Sequence, residues 1–191
     1  MSQNSLTVDV YIPAQAKRDA KLPVKVWAYG GFNEVGGASY PLYDACHLAT
    51  DSIVVELNYR VGPLGFFALE SAGIQGNMAI LDYLAALRWV QKNVASFGGD
   101  KSRVVLFGQS AGGDDTFVVS TLPEAKHLMS AAIAESGGGQ FMTPYKVAQE
   151  VGASYAATLK CGSNDVSNAR LSLRPTVSPE VAASRNDYSS D

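Results

Sequence analysis

The sequence predicts an α/β fold in three layers, a mainly parallel sheet with helices packed on its faces. Three observations predict it. Short apolar runs alternate with helix-length amphipathic segments along the chain. The runs are apolar at consecutive positions, as in strands covered on both sides. A Gly-x-Ser-x-Gly stretch, Gly108-Gln109-Ser110-Ala111-Gly112, falls between one such run and a helical segment.

Taken in order, the strand runs are residues 24–28, 52–57, 104–107 and 131–134, rich in Val, Ile and Ala. Residues 41–50 are long enough for one crossover helix, and residues 77–95 for a longer one. The longer segment sets Ile80, Leu84, Leu87, Val90 and Val94 on a single stripe and stops before Gly98-Gly99. Residues 111–120 supply the helix after the Gly-x-Ser-x-Gly turn. Thr143-Pro144 reads as cap and first turn of a last helix with Val147, Val151, Tyr155 and Leu159 at steps of four. Strand-helix-strand order implies right-handed crossovers onto one sheet. After Gly162 the composition turns to Ser, Asn, Asp and Arg, so residues 1–162 are expected to form the domain and 163–191 a poorly ordered polar tail.

Composition narrows the class. The chain has 191 residues, 47% hydrophobic and 17% charged, which suits one domain burying roughly 70% of its unfolded surface. A net charge of −3 without a basic run offers no footprint for nucleic acid. No apolar stretch approaches the roughly 20 residues of a membrane span, and residues 1–4 carry no secretory signal. No metal-ligand cluster, phosphate loop or dinucleotide fingerprint stands out, so no cofactor is expected. Two cysteines, Cys46 and Cys161, form no disulfide framework and are expected as free thiols.

Ser110 carries the chemistry. Between a strand and a helix, this pentapeptide makes a tight, strained elbow that lifts the serine above the sheet. There the Ala111 N–H and the positive end of the following helix face a developing oxyanion.

Other blocks extend the pattern. Residues 58–66, beginning Asn58-Tyr59-Arg60, resemble a block of type B carboxylesterases, the cholinesterase-like branch of the α/β-hydrolases. So do Gly76-Asn77, Leu81-Asp82 and residues 86–91 before the elbow, Phe97-Gly98-Gly99-Asp100, residues 26–31, and the early strand at 5–11. The blocks follow one order from about residue 5 to residue 162. The resemblance implies an α/β-hydrolase sheet core and hydrolysis of a small carboxylic ester through an acyl-serine at Ser110, with no cofactor. It says nothing of oligomeric state or compartment, although relatives are often secreted and a missing N-terminus would explain the missing signal.

The resemblance also implies an oxyanion hole from Ala111 and from the turn Tyr29-Gly30-Gly31-Phe32-Asn33, with Gly31 and Phe32 as donors. Relatives carry a third glycine there. Either Phe32 replaces it, or one residue is deleted and Phe32 is the family's own aromatic. Gln109 stands where many relatives have glutamate, and Ser136 matches a serine near the triad; both are expected beside the site. Arg60 and Asp82 match a buried structural ion pair. Asp114 and Asp115 stand where relatives carry small residues; first-turn carboxylates suit the helix dipole, while a buried unpaired one would be costly. The family's disulfide positions fall at Ser5, which is not cysteine, and at Cys161, whose partner would fall near Ala169 or Arg170.

A serine triad needs a base, and the family supplies acid and histidine after the nucleophile. Only His127 follows Ser110, and a helix over 111–120 would carry the chain about 15 Å down before it. His47, late in the first crossover segment, faces the same objection. The chain is therefore expected to be the central, truncated part of such an enzyme and weak or inactive. The rivals are a non-catalytic binding or adhesion protein of the same fold and a gene-model fragment.

Overall fold

The structure, a computed structural model, describes residues 6–140 and 142–159. Five strands form one mixed sheet in the order β1-β3-β2-β4-β5. The strands are β1 (Val8–Tyr11), β2 (Leu22–Ala28), β3 (Ile53–Leu57), β4 (Gly99–Gln109) and β5 (Ala131–Glu135). Only β1 runs antiparallel, pairing with β3; β2–β3, β2–β4 and β4–β5 are parallel. All four predicted strand runs are strands. β4 begins earlier than its apolar run because Gly99 already pairs with Leu22 before the register shifts at Val24.

The helices are α1 (Pro63–Phe66), α2 (Met78–Asn93), α3 (Ala111–Thr121) and α4 (Tyr145–Thr158). The α2 stripe Ile80, Leu84, Leu87 and Val90, continued by Val94, is buried against Val24, Val26, Ile53, Val55 and Leu106 on one sheet face. Val119 of α3 joins the same core. Burying side chains of this size stabilises the fold by about 1.5–3 kcal/mol each.

Two expected helices differ. Residues 41–50 form only short turns at Pro41–Tyr43 and Leu48–Thr50, and Ala45 and Ala49 between and within them pack on Val54. Ala49 leaves helical geometry (φ −90°, ψ 24°), so the segment lies on the second sheet face without a continuous helix. α4 begins at Tyr145, with Pro144 as its cap residue and no side-chain cap from Thr143. Its predicted stripe is solvent-facing, with Val151 63% exposed, and Gly152 and Ala156 are the buried positions. Those small residues sit one turn apart and let the helix approach the Ala68 backbone closely, while Tyr155 meets Phe67 edge-on. β5 is exposed along its whole length. Ser5, Cys161, Ala169, Arg170 and the tail 163–191 lie outside the described residues. Cys46 is a free, exposed thiol.

The second face holds a buried acid. Glu56 of β3 lies between Asp9 of β1 and Trp27 of β2. It is 1% exposed, and neither its Oε2 nor the Trp27 Nε1 has a hydrogen-bond partner. Burial first, then the negative charges of Asp9 and Asp44, push its pKa up to about 7, while a hydrogen bond with Tyr11 opposes the shift. A carboxyl raised in the folded state favours folding below its unfolded pKa, and that contribution is lost as pH rises through about 7. Denaturant unfolding should therefore show stability rising as pH falls from 8 to 5. Glu56→Gln should stabilise at pH 8 by about 1–3 kcal/mol and change little at pH 5. An unchanged pH slope in the variant would contradict this origin.

Candidate active site

The site is built where the carboxyl ends of β2 and β4 meet the start of α3, a usual place for ligands in parallel sheets. β4 ends at Gln109 and α3 starts at Ala111, leaving Ser110 alone to make the turn at φ 56°, ψ −125°. A non-glycine residue there stores about 1–3 kcal/mol of strain. The neighbours over-determine it: Ser110 N–H donates to Glu135 O of β5 at 2.8 Å, and Ser110 O accepts from Asp114 N–H at 2.9 Å. The flanking glycines are required by contact. A Cβ at Gly108 would collide with the Gly112 carbonyl, and one at Gly112 with the Ala28 and Tyr29 carbonyls. Ser110 itself is half-buried.

The oxyanion candidates lie beside it. A Cβ at Gly30 would stand 3.1 Å from Ser110 Cβ, so the end of β2 abuts the elbow. Three successive residues then take positive φ: Gly31 (132°), Phe32 (57°) and Asn33 (59°). The Gly31 carbonyl accepts from Glu34 N–H at 2.9 Å and Val35 N–H at 3.1 Å, closing the turn. Phe32 is 85% exposed, so its ring packs on nothing that would explain its strained backbone. Ala111 is the first residue of α3, and first-turn N–H groups lack intrahelical acceptors. Gln109 is exposed and next to Gly30, whose added Cβ would lie 3.2 Å from Gln109 Oε1. Ser136 directly follows β5 with φ 51°, exposed at the same end of the sheet.

The two acids of α3 behave differently from a solvated pair. Asp114 Oδ1 accepts from Gly138 N–H at 2.8 Å and Gly139 N–H at 2.9 Å. Asp115 is 4% exposed, and its Oδ1 accepts from Asn33 Nδ2 at 3.1 Å. Burial raises its pKa to about 6, against the opposing pull of Asn33 and Tyr83. Asp115 Oδ2 and the Tyr83 hydroxyl lack partners of standard geometry, although the hydroxyl stands near enough to affect the carboxyl. Beneath, Tyr29 and Tyr59 stack at 4.4 Å and exchange hydroxyl-to-carbonyl hydrogen bonds of 3.1 and 2.5 Å. Asn33 was not singled out from the sequence; its only signal there is a polar residue closing an unusual turn.

Arg60 and Asp82 form a two-pronged ion pair, Nη2–Oδ1 at 2.7 Å and Nε–Oδ2 at 2.8 Å. Asp82 Oδ2 also accepts from Arg60 N–H. The pair fixes the segment after β3 onto α2, and Arg60 reaches the Met78 carbonyl as well. Neither histidine approaches Ser110. His47 precedes β3 and His127 precedes β5, both exposed at the amino ends of parallel strands, whereas Ser110 follows the carboxyl end of β4.

The profile of the Carboxylesterase family matches residues 1–183. The chain belongs to that family. It is 43% identical over 151 residues to the para-nitrobenzyl esterase of Bacillus subtilis (strain 168), covering 77% of this chain and 30% of that protein. It is 44% identical over 138 residues to a liver carboxylesterase of Sus scrofa, covering 71% of this chain and 24% of that one. Among solved structures, a thermophilic para-nitrobenzyl esterase superposes with a TM-score of 0.82 at 39% identity, over 94% of this chain and 36% of that chain. The juvenile hormone esterase of Manduca sexta gives 0.83 at 30% identity, over 92% and 34%. The fold is thus an α/β-hydrolase core, and the chain spans about a third or less of the esterases it matches. No helix among the described residues is long and apolar enough to cross a membrane.

Two outcomes follow. Asp82→Asn should remove one charge of the Arg60 pair and cost about 3 kcal/mol, a fall in Tm of about 6–12 °C for a chain of this size; an unmoved midpoint would deny the pair its role. Gly112→Ala should lose about 1–3 kcal/mol to overpacking, read by denaturant titration; wild-type stability would contradict the contact with β2.

Proposed function

We propose that Ser110 is the nucleophile of a carboxylic-ester hydrolase. The observation that carries this reading is the strained backbone of Ser110 at a strand-to-helix elbow, directly beside the Gly30–Gly31–Phe32 turn. Ser110 Oγ would attack the ester carbonyl, and the N–H groups of Gly31 and Ala111, with Phe32 as a third donor, would take the oxyanion. Collapse of that tetrahedral species expels the alcohol and leaves an acyl-serine, which water then hydrolyses. The relatives, para-nitrobenzyl esterase and liver carboxylesterase among them, support a small carboxylic ester as substrate.

Attack requires removal of the serine proton. Both histidines of the chain stand at the far end of the sheet, so this chain by itself activates Ser110 poorly. Removing the base from an intact triad costs about 10⁶ in turnover. Nitrophenyl-ester hydrolysis by the chain should lie near background and change little in Ser110→Ala, and a fluorophosphonate should label Ser110 slowly, as read by intact-mass spectrometry. Rapid stoichiometric labelling would show that His47, His127 or a second polypeptide supplies the base, and His→Ala at each position would identify which. A non-catalytic binding role is less well supported, because the elbow keeps both its serine and its strain.

A further inference from the structure

The start of α3 carries two adjacent carboxylates, Asp114 in the first turn and Asp115 just after it, and each reaches a different loop beside Ser110. Asp115 holds Asn33, the last of three residues with positive φ in the oxyanion turn. Asp114 holds the N–H groups of Gly138 and Gly139 in the turn that begins at Ser136. The turn after β5 is also in close contact with the elbow: a Cβ at Gly137 would stand 2.5 Å from the Ser110 carbonyl oxygen. Both loops thus take their position from the helix that starts at the nucleophile.

The oxyanion turn needs such an anchor. Left-handed backbone at Phe32 and Asn33 costs about 1–2 kcal/mol at a non-glycine residue, least at Asn. With its ring 85% exposed, Phe32 gains no packing that offsets the cost. Four hydrogen bonds oppose relaxation: two turn bonds to the Gly31 carbonyl, Gly62 N–H donating to Asn33 O at 2.5 Å, and the Asn33–Asp115 side-chain bond. Only the last ties the turn to the nucleophile's own helix, and it does so from a buried carboxylate.

We propose that Asp114 and Asp115 are positioning residues that lock the two loops flanking Ser110, Asp115 fixing the oxyanion turn and Asp114 the turn after β5. The proposal rests on Ser110 being the nucleophile. The carboxylates touch no reacting atom; they act through Asn33 and through the 138–139 backbone. What Asp115 contributes is an oxygen acceptor at a fixed place, so a carboxamide should serve where a methyl does not.

The test has two readouts on the intact chain. Amide hydrogen exchange in residues 30–35 should quicken at least ten-fold in Asp115→Ala, stay near wild type in Asp115→Asn, and leave α2 unchanged. Asp114→Ala should do the same for residues 136–140. Ser110 labelling by a fluorophosphonate, with imidazole added as external base and Ser110→Ala as blank, should slow about 10–100-fold in Asp115→Ala, the scale of an ångström-size misplacement. Asp115→Asn should restore it. Asn33→Gly, which keeps the positive φ but drops the amide, should slow labelling similarly, and combining it with Asp115→Ala should add little further. If Asp115→Ala fails to fold, Asn33→Gly and Asp115→Asn carry the test. Unchanged exchange with normal labelling in these variants would overturn the clamp alone. A wild-type chain whose Ser110 stays inert even with imidazole would overturn the nucleophile reading, and the positioning role with it.

Discussion

The close approach of β2, β4 and α3 at the carboxyl end of the sheet is the constraint on which the rest of the structure depends. Gly108 and Gly112 leave no room for side chains because the helix must begin against the backbone of the neighbouring strand. That contact forces Ser110 alone to reverse the chain, with positive φ, and fixes its hydroxyl at a helix N-terminus. It also brings Gly30 against the elbow, so the turn at residues 30–33 is adjacent to Ser110 by packing rather than by loop flexibility.

Beneath this contact lies a layer of buried polar groups rather than a purely apolar core. Tyr29 stacks on Tyr59, Tyr59 meets Tyr83 at a tilt of 50°, and the hydroxyls of Tyr29 and Tyr59 satisfy carbonyls at the strand ends. Asp115 adds a carboxylate to that layer, and burial holds its pKa near 6. A polar layer is costly unless its members are bonded, and when bonded it specifies one arrangement. Here that layer lies just beyond the ends of β2 and β3, where the Gly30–Asn33 turn and the segment after β3 begin. Arg60 and Asp82 continue it outward, tying the segment after β3 to α2.

The same sheet is open elsewhere. β5 is exposed along its length, and α4 docks on residues 67–70 through Gly152 and Ala156 rather than through its larger apolar side chains. The chain covers 36% and 34% of two solved esterases that share this fold.

Much was legible in the sequence because it is local or periodic. The α2 stripe, the four apolar strand runs and the Gly-x-Ser-x-Gly elbow each depend on residues close in sequence, and steric exclusion at the elbow leaves one geometry for that spacing. The placement of His127 at the end of the sheet away from Ser110 also followed from the rise of α3; His47 lies at that end too, but by strand direction alone, since residues 41–50 form no continuous helix. Other features were decided only in three dimensions. Residues 41–50 look helical but flatten onto the second sheet face as turns, because Ala45 and Ala49 can bury against Val54 without a full helix. Val147, Val151 and Tyr155 have the period of a buried stripe, yet the helix turns its smallest residues inward, where backbone approach outweighs side-chain size. Asp115 reads as a solvated first-turn acid until the fold brings Asn33, 82 residues earlier, to its oxygen. Local propensity and period are properties of the chain alone; which polar group meets which across the sheet is set by the packing of distant segments.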